Sequence, residues 1–140
     1  MLSPGFWLYH AALTWRAELD ARLRPLGLTP TQFMVLATAG WLEHLNGPPT
    51  QQQVADGAGT DRQMTSRVVR ALQDRGLITR HAHESNARSL RLTLTREGRA
   101  LTRRAVEMAQ SLDEKLFGPE PTSLRDALRG IAEFRDQTQR

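Results

Sequence analysis

The 140-residue chain contains no cysteine. That excludes disulfide staples, thiolate metal sites and thiol redox switching, and it fits a reducing compartment. No apolar run approaches the roughly 20 residues of a bilayer span, so no membrane association is expected. Met1-Leu2-Ser3-Pro4-Gly5-Phe6 lacks a basic segment followed by an apolar one. No export signal is expected, and the chain reads as cytoplasmic. Walker loops, paired-glycine dinucleotide turns, His-Glu-x-x-His and nucleophile elbows are all missing, so neither an enzyme nor a cofactor is expected.

What is present is ordinary globular composition, with 39% hydrophobic and 24% charged residues. That argues for a single folded domain over residues 1–140 and against disorder. The net charge of +4 is unevenly spread. From Thr60 to Arg104 eleven arginines face four acidic residues, a local +7, whereas the flanks net −3. A basic segment between acidic flanks points to a polyanion meeting one part of the molecule. A solvated basic face is the alternative that charge alone leaves open.

The spacing predicts a mainly α chain with one β-hairpin. Helix one opens at Ser3-Pro4, carries Leu8, Ala12, Trp15, Leu19, Leu23 and Leu26 on one stripe, and stops at Pro25 and Gly27. Thr29-Pro30-Thr31-Gln32 is a capping box for helix two, whose apolar residues include Phe33, Val35, Leu36, Trp41 and Leu45. Asn46-Gly47-Pro48-Pro49 stops it. Thr50-Gln51-Gln52-Gln53 opens a short helix three that ends at Gly59. Thr60-Asp61-Arg62-Gln63 reads as a third box, opening helix four, which Gly76 ends in left-handed conformation. Leu77–Ala82 and Leu90–Leu94 read as strands around an exposed tip at 83–88. Helix five follows Thr95 and carries Leu101, Ala105, Met108, Leu112 and Leu116 on one face. Helix six starts near Thr122-Ser123 and aligns Leu124, Leu128, Ile131 and Phe134.

Helices three and four, joined at Gly59, form a helix-turn-helix, and the hairpin makes it a winged one. At about 100° per residue, Arg62, Gln63, Ser66, Arg67, Arg70, Gln73 and Asp74 share an arc of roughly 140°. Met64, Val68, Val69, Ala71 and Leu72 oppose them, and Thr65 falls among this apolar group. Arginine bonds guanine bidentately, and glutamine does the same to adenine. The first turns of such a helix reach furthest into the major groove. Arg62, Gln63, Ser66 and Arg67 are therefore assigned to base edges and Arg70 to the phosphate backbone. Thr50 and Gln51, at the start of helix three, are assigned to a phosphate. Arg88 on the wing is a candidate for the minor groove.

At these residues the chain resembles the multiple antibiotic resistance regulator (MarR) family. The likeness lies in Leu28-Thr29-Pro30-Thr31-Gln32-Phe33, Gln53-Val54-Ala55, the run Leu72–Arg80 entering the wing and the run Leu92–Gly98 leaving it. The resemblance implies homodimers built through the first and last helices, hence a winged helix-turn-helix at 30–99 and dimerisation helices at 1–27 and 100–140. It implies binding to pseudo-palindromic operators in double-stranded DNA, usually as a repressor. It also implies release by a small aromatic or anionic effector bound between the dimer and DNA-binding regions. The family wing carries Asp-x-Arg. Here Asn86-Ala87-Arg88 keeps the arginine and lacks the acid, so Asn86 can accept a hydrogen bond only without charge assistance.

Dimerisation has separate support. Helices one, five and six each carry an apolar stripe, more than one helix-turn-helix and its wing can cover. Trp15, Phe33, Trp41 and His44 are candidates for a pocket between helices one and two, although core and interface roles account for them. His81 and His83 alternate on a strand, as a metal pair would, but a third ligand at firm spacing is lacking. Three other functions remain open: an architectural DNA-binding protein without operator preference, a winged-helix module for an acidic protein and, more remotely, a small hydrolase.

Overall fold

The computed structural model describes residues 1–83 and 86–135, with the side chains of 83–89 outside the description. The Ser3 hydroxyl accepts from the Phe6 amide at 3.2 Å and starts α1 (Pro4–Leu23). Pro25 has no N–H to continue the ladder, and a 3-10 turn at Arg24–Leu26 ends it. α2 (Pro30–Asn46) and α3 (Gln51–Ala58) open with the expected reciprocal boxes. Thr29 Oγ accepts from Gln32 at 3.1 Å while Gln32 Oε1 accepts from Thr29 at 3.0 Å. Thr50 and Gln53 repeat the pattern at 3.0 and 2.8 Å.

The third box does not form. α4 (Arg62–Asp74) is capped by Asp61, whose carboxylate accepts from the Met64 amide at 2.7 Å. A carboxylate at the positive end of the helix dipole is a stronger acceptor than the neighbouring hydroxyl. Thr60 instead places its hydroxyl 2.7 Å from that of Thr65. The cap therefore leaves the Gln63 side chain unused. At the other end, Leu77 donates to the Leu72 carbonyl at 3.0 Å and Gly76 to that of Gln73 at 2.9 Å, with Gly76 at φ 74°. This is the left-handed stop expected of that glycine.

β1 (Ile78–His83) and β2 (Asn86–Leu94) form the antiparallel wing, with Ile78 opposite Leu94 and a register shift between Ala82 and His83. The second strand begins at Asn86, not Leu90. Asn86 pairs with His83, and regular pairing resumes at Leu90 opposite Ala82. The Pro48–Thr50 segment adds a bridge to the wing. Leu92 donates to the Pro49 carbonyl at 2.9 Å, Thr50 pairs with Arg91, and Arg91 Nη1 reaches the Pro48 carbonyl at 3.0 Å. The segment that stops α2 thus also ties the wing to the start of α3.

α5 (Arg96–Phe117) starts at Thr95, whose hydroxyl accepts from Gly98 at 3.0 Å and donates to the Gly76 carbonyl at 2.6 Å. A Cβ at Gly98 would collide with the Leu77 carbonyl, so only glycine permits this approach of α5 to the start of the wing. α6 (Thr122–Ala132) closes the described chain. One core joins Leu19 and Leu23 of α1, Val35 and Leu36 of α2, Val54, Val69, Leu72, Ile78, Leu92, and Ala105 and Leu112 of α5. α6 contributes nothing to it. Leu8 and Leu116 on the apolar stripes of α1 and α5, and Trp41 and Leu45 of α2, are exposed. Ala12 is exposed as well.

Candidate nucleic-acid interface

The apolar side of α4 settles where its neighbours sit. Val69 and Leu72 are fully buried, and Val68 is half-buried. Met64 and Ala71, expected on the same side, are exposed at its margins. Thr65 is fully buried, as its place among the apolar residues implied, its hydroxyl donating to the Asp61 carbonyl at 2.7 Å. On the opposite side Arg62, Gln63, Arg67 and Arg70 are exposed and Ser66 is half-buried. Arg70 Nη2 lies 3.3 Å from Ser66 Oγ, a contact within the helix. Among the described residues no carboxylate forms an ion pair with Arg62, Arg67 or Arg70.

Two open depressions gather these side chains. One, of about 510 Å³, lies between the start of α3 and the first turns of α4 and includes Thr50, Gln51, Arg62, Gln63 and Ser66 in its walls. The other is bounded by Gln63, Ser66, Arg67 and Arg70. Seven of the eight sequence-assigned residues therefore meet on one surface. The eighth, Arg88, has its backbone on β2, and its side chain lies outside the described residues. Gln52 and Leu90 also line the first depression, and sequence reasoning missed both. The only signal for Gln52 was its place one residue after Gln51. Leu90 sits at the strand end where alternation begins.

The start of α3 is partly committed. Thr50 uses its hydroxyl and its amide in the capping box, whereas Gln51 Oε1 is buried without a partner among the described residues. The pocket considered for Trp15, Phe33, Trp41 and His44 is not assembled. Phe33 is core, and Trp15 donates its indole N–H to Asp113 Oδ1 at 3.1 Å. Trp41 and His44 are exposed on α2, their ring centroids 6.1 Å apart. His81 is exposed on β1, while the His83 side chain lies outside the described residues. Among the described residues no group of three or more metal-ligating side chains is present.

The MarR family model matches residues 28–90, which span α2, α3, α4 and most of the wing. The HTH-type transcriptional repressor Rv2887 of Mycobacterium tuberculosis is 35% identical over 113 residues, covering 81% of this chain and 78% of the relative. The chain belongs to the MarR family. Its winged-helix fold matches solved MarR regulators. The transcriptional repressor CouR, solved on a 23-mer DNA duplex, aligns with a TM-score of 0.76 and 30% identity, covering 93% of this chain and 89% of that one. Rv2887 in complex with p-aminosalicylic acid aligns with a TM-score of 0.69 and 29% identity, covering 94% and 100%. Within the MarR fold, the basic face of α4 is the second helix of the helix-turn-helix. No described helix is long and apolar enough to cross a membrane.

Proposed function

We propose that this MarR-family protein is a homodimeric, sequence-specific DNA-binding repressor, released from its operator by a small aromatic or anionic effector. The observation that carries the reading is the shared surface of α3 and α4, where Arg62, Gln63, Ser66 and Arg67 face solvent without acidic partners. Those four side chains read base edges in the major groove. Arg70, with Thr50 and Gln51, holds the phosphate backbone. Arg88 enters the minor groove from the wing. Residues 30–99 form the reading unit, and 1–27 with 100–140 form the dimer.

The terminal helices support the dimer. Phe6, Trp7, Leu8, Tyr9 and Leu13 of α1 are exposed, as are Leu124, Leu128 and Ile131 of α6. An apolar groove of about 590 Å³ runs between α1, α5 and α6, with Trp7, Trp15, Phe117 and Leu128 among its walls. Apolar surface on this scale marks a protein interface, and closed two-fold symmetry is the commonest way to cover it. The effector class is carried over from Rv2887 with p-aminosalicylic acid. The protein acts in the cytoplasm as a regulator and not as an enzyme.

Selection of bound duplexes from a random library, at near-physiological salt, tests the proposal. The expected result is an enriched palindrome with half-sites about one helical turn apart. Binding without enrichment would replace it with an architectural role, which shows steep salt dependence and little discrimination. A folded dimer that ignores DNA would point to an acidic protein partner.

A further inference from the structure

The end of the reading helix is fastened to the end of α1 by a contact that the operator contacts do not use. Arg75 follows the last residue of α4, and its Nη1 donates to the Gly27 carbonyl at 2.7 Å, across 48 positions of sequence. Gly27 terminates the turn after α1 in left-handed backbone, φ 70°, and its amide donates back to the Arg24 carbonyl at 2.9 Å. The guanidinium lies over the bare Cα: a Cβ built there would stand 3.1 Å from Nη2 and 3.7 Å from Cζ. A planar fork bonded to a carbonyl and laid against a glycine fixes orientation as well as distance.

The placement matters because α4 and α1 both pack on α2 and beyond it have different neighbours. α4 packs on α2, α3 and β1, whereas α1 packs on α2 and α5. The Arg75–Gly27 contact joins the reading helix directly to the arm.

We propose that Arg75 is a positioning residue that sets the angle of α4 relative to the dimer arm, and through it the spacing between half-sites that the dimer accepts. This inference rests on the dimeric DNA-reading function above. In a two-fold dimer the separation of the two reading helices must match the helical repeat of the duplex. A small rotation of α4 about its own centre leaves its contacts with one half-site in place and shifts the relation between the two. Arg75 acts on spacing, and the residues on the α4 face act on sequence. Lysine keeps the charge but offers a point donor in place of a fork.

The test is a duplex series in which two selected half-sites are separated by the preferred spacer, or by one or two base pairs more or fewer. Binding is measured for the wild-type full chain, Arg75→Ala and Arg75→Lys. The wild type should show a sharp optimum. Arg75→Ala should keep the base preference within each half-site, while its advantage at the best spacing over the neighbouring ones shrinks by about threefold or more, the order expected for losing one exposed charge-assisted hydrogen bond. Arg75→Lys should flatten the optimum too, because charge is retained and geometry is not. An Arg75→Ala loss equal at every spacing, or an unchanged profile in both variants, would overturn the inference and leave the dimeric reader standing. A wild type with no spacing optimum would overturn both. Should Arg75→Ala fold poorly in thermal unfolding, Arg75→Lys decides the matter alone.

Discussion

α4 and α6 are both amphipathic, and they end in opposite states. In α4 the apolar side is spent inside the chain, with Val69 and Leu72 fully buried, and the polar side is left for a partner. In α6 no residue is buried, and Leu124, Leu128 and Ile131 remain 41%, 38% and 60% exposed. Amphipathicity shows that a face must be covered without showing what covers it. α4 finds cover for its apolar side within one copy of the chain, in a core that α1 and α5 also help to build, so its exposed groups are left over for a partner. The terminal helices hold apolar surface that the described residues of one copy leave uncovered, which is the surface the proposed dimer would bury.

The largest expected effect tests the self-sufficient side. Leu72→Ala removes a fully buried side chain beneath the reading face and should lower unfolding stability by about 3 kcal/mol in urea titration. A loss below about 1 kcal/mol would show that α4 is not held by this core. The matching change on the other side is Leu128→Glu. It should scarcely alter helix content but weaken dimer association roughly a hundredfold, since each interface buries the residue twice. Sedimentation across a dilution series reads this directly. An unchanged dimer would place the interface elsewhere and erase the contrast.

How much of this was legible in the sequence follows the same divide. Periodicity and capping residues located all six helices, because each rests on local rules: Ser3, Thr29, Thr50 and Thr95 each accept the expected amide. The error at Thr60 arose where two competent caps stand side by side, and only the three-dimensional course of the chain chooses Asp61. The polar start of β2 was invisible because backbone pairing needs no apolar pattern. The Pro48–Thr50 bridge was invisible because it joins segments some forty residues apart. The exposed polar side of α4 was legible almost residue by residue, since a helix maps sequence onto angle. Arg75 and Gly27 were not, because nothing local marks a side chain that spans 48 positions to cap another turn.

Within the reading surface, Arg67→Ala should cost about 2 kcal/mol on the preferred operator and relax the preference at one base position. The measurement is competition binding against single-base variants of the selected site. Loss spread evenly over all variants would reassign Arg67 to the backbone.

Arg70→Ala should have the smallest effect and a different signature. Arg70 is exposed one helical turn beyond Ser66, with no carboxylate paired to it among the described residues. Its proposed partner is phosphate, which carries charge and no sequence information. Its removal should weaken selected and scrambled duplexes alike by about 1 kcal/mol or less and reduce the slope of log K against log salt by about 0.9. Selectivity should remain that of the wild type. Equal salt slopes for Arg67→Ala and Arg70→Ala, with equal losses on both duplexes, would merge the two roles. The surface would then bind charge without reading sequence, and the contrast between a reading helix and a covering helix would reduce to a contrast between charged and apolar faces.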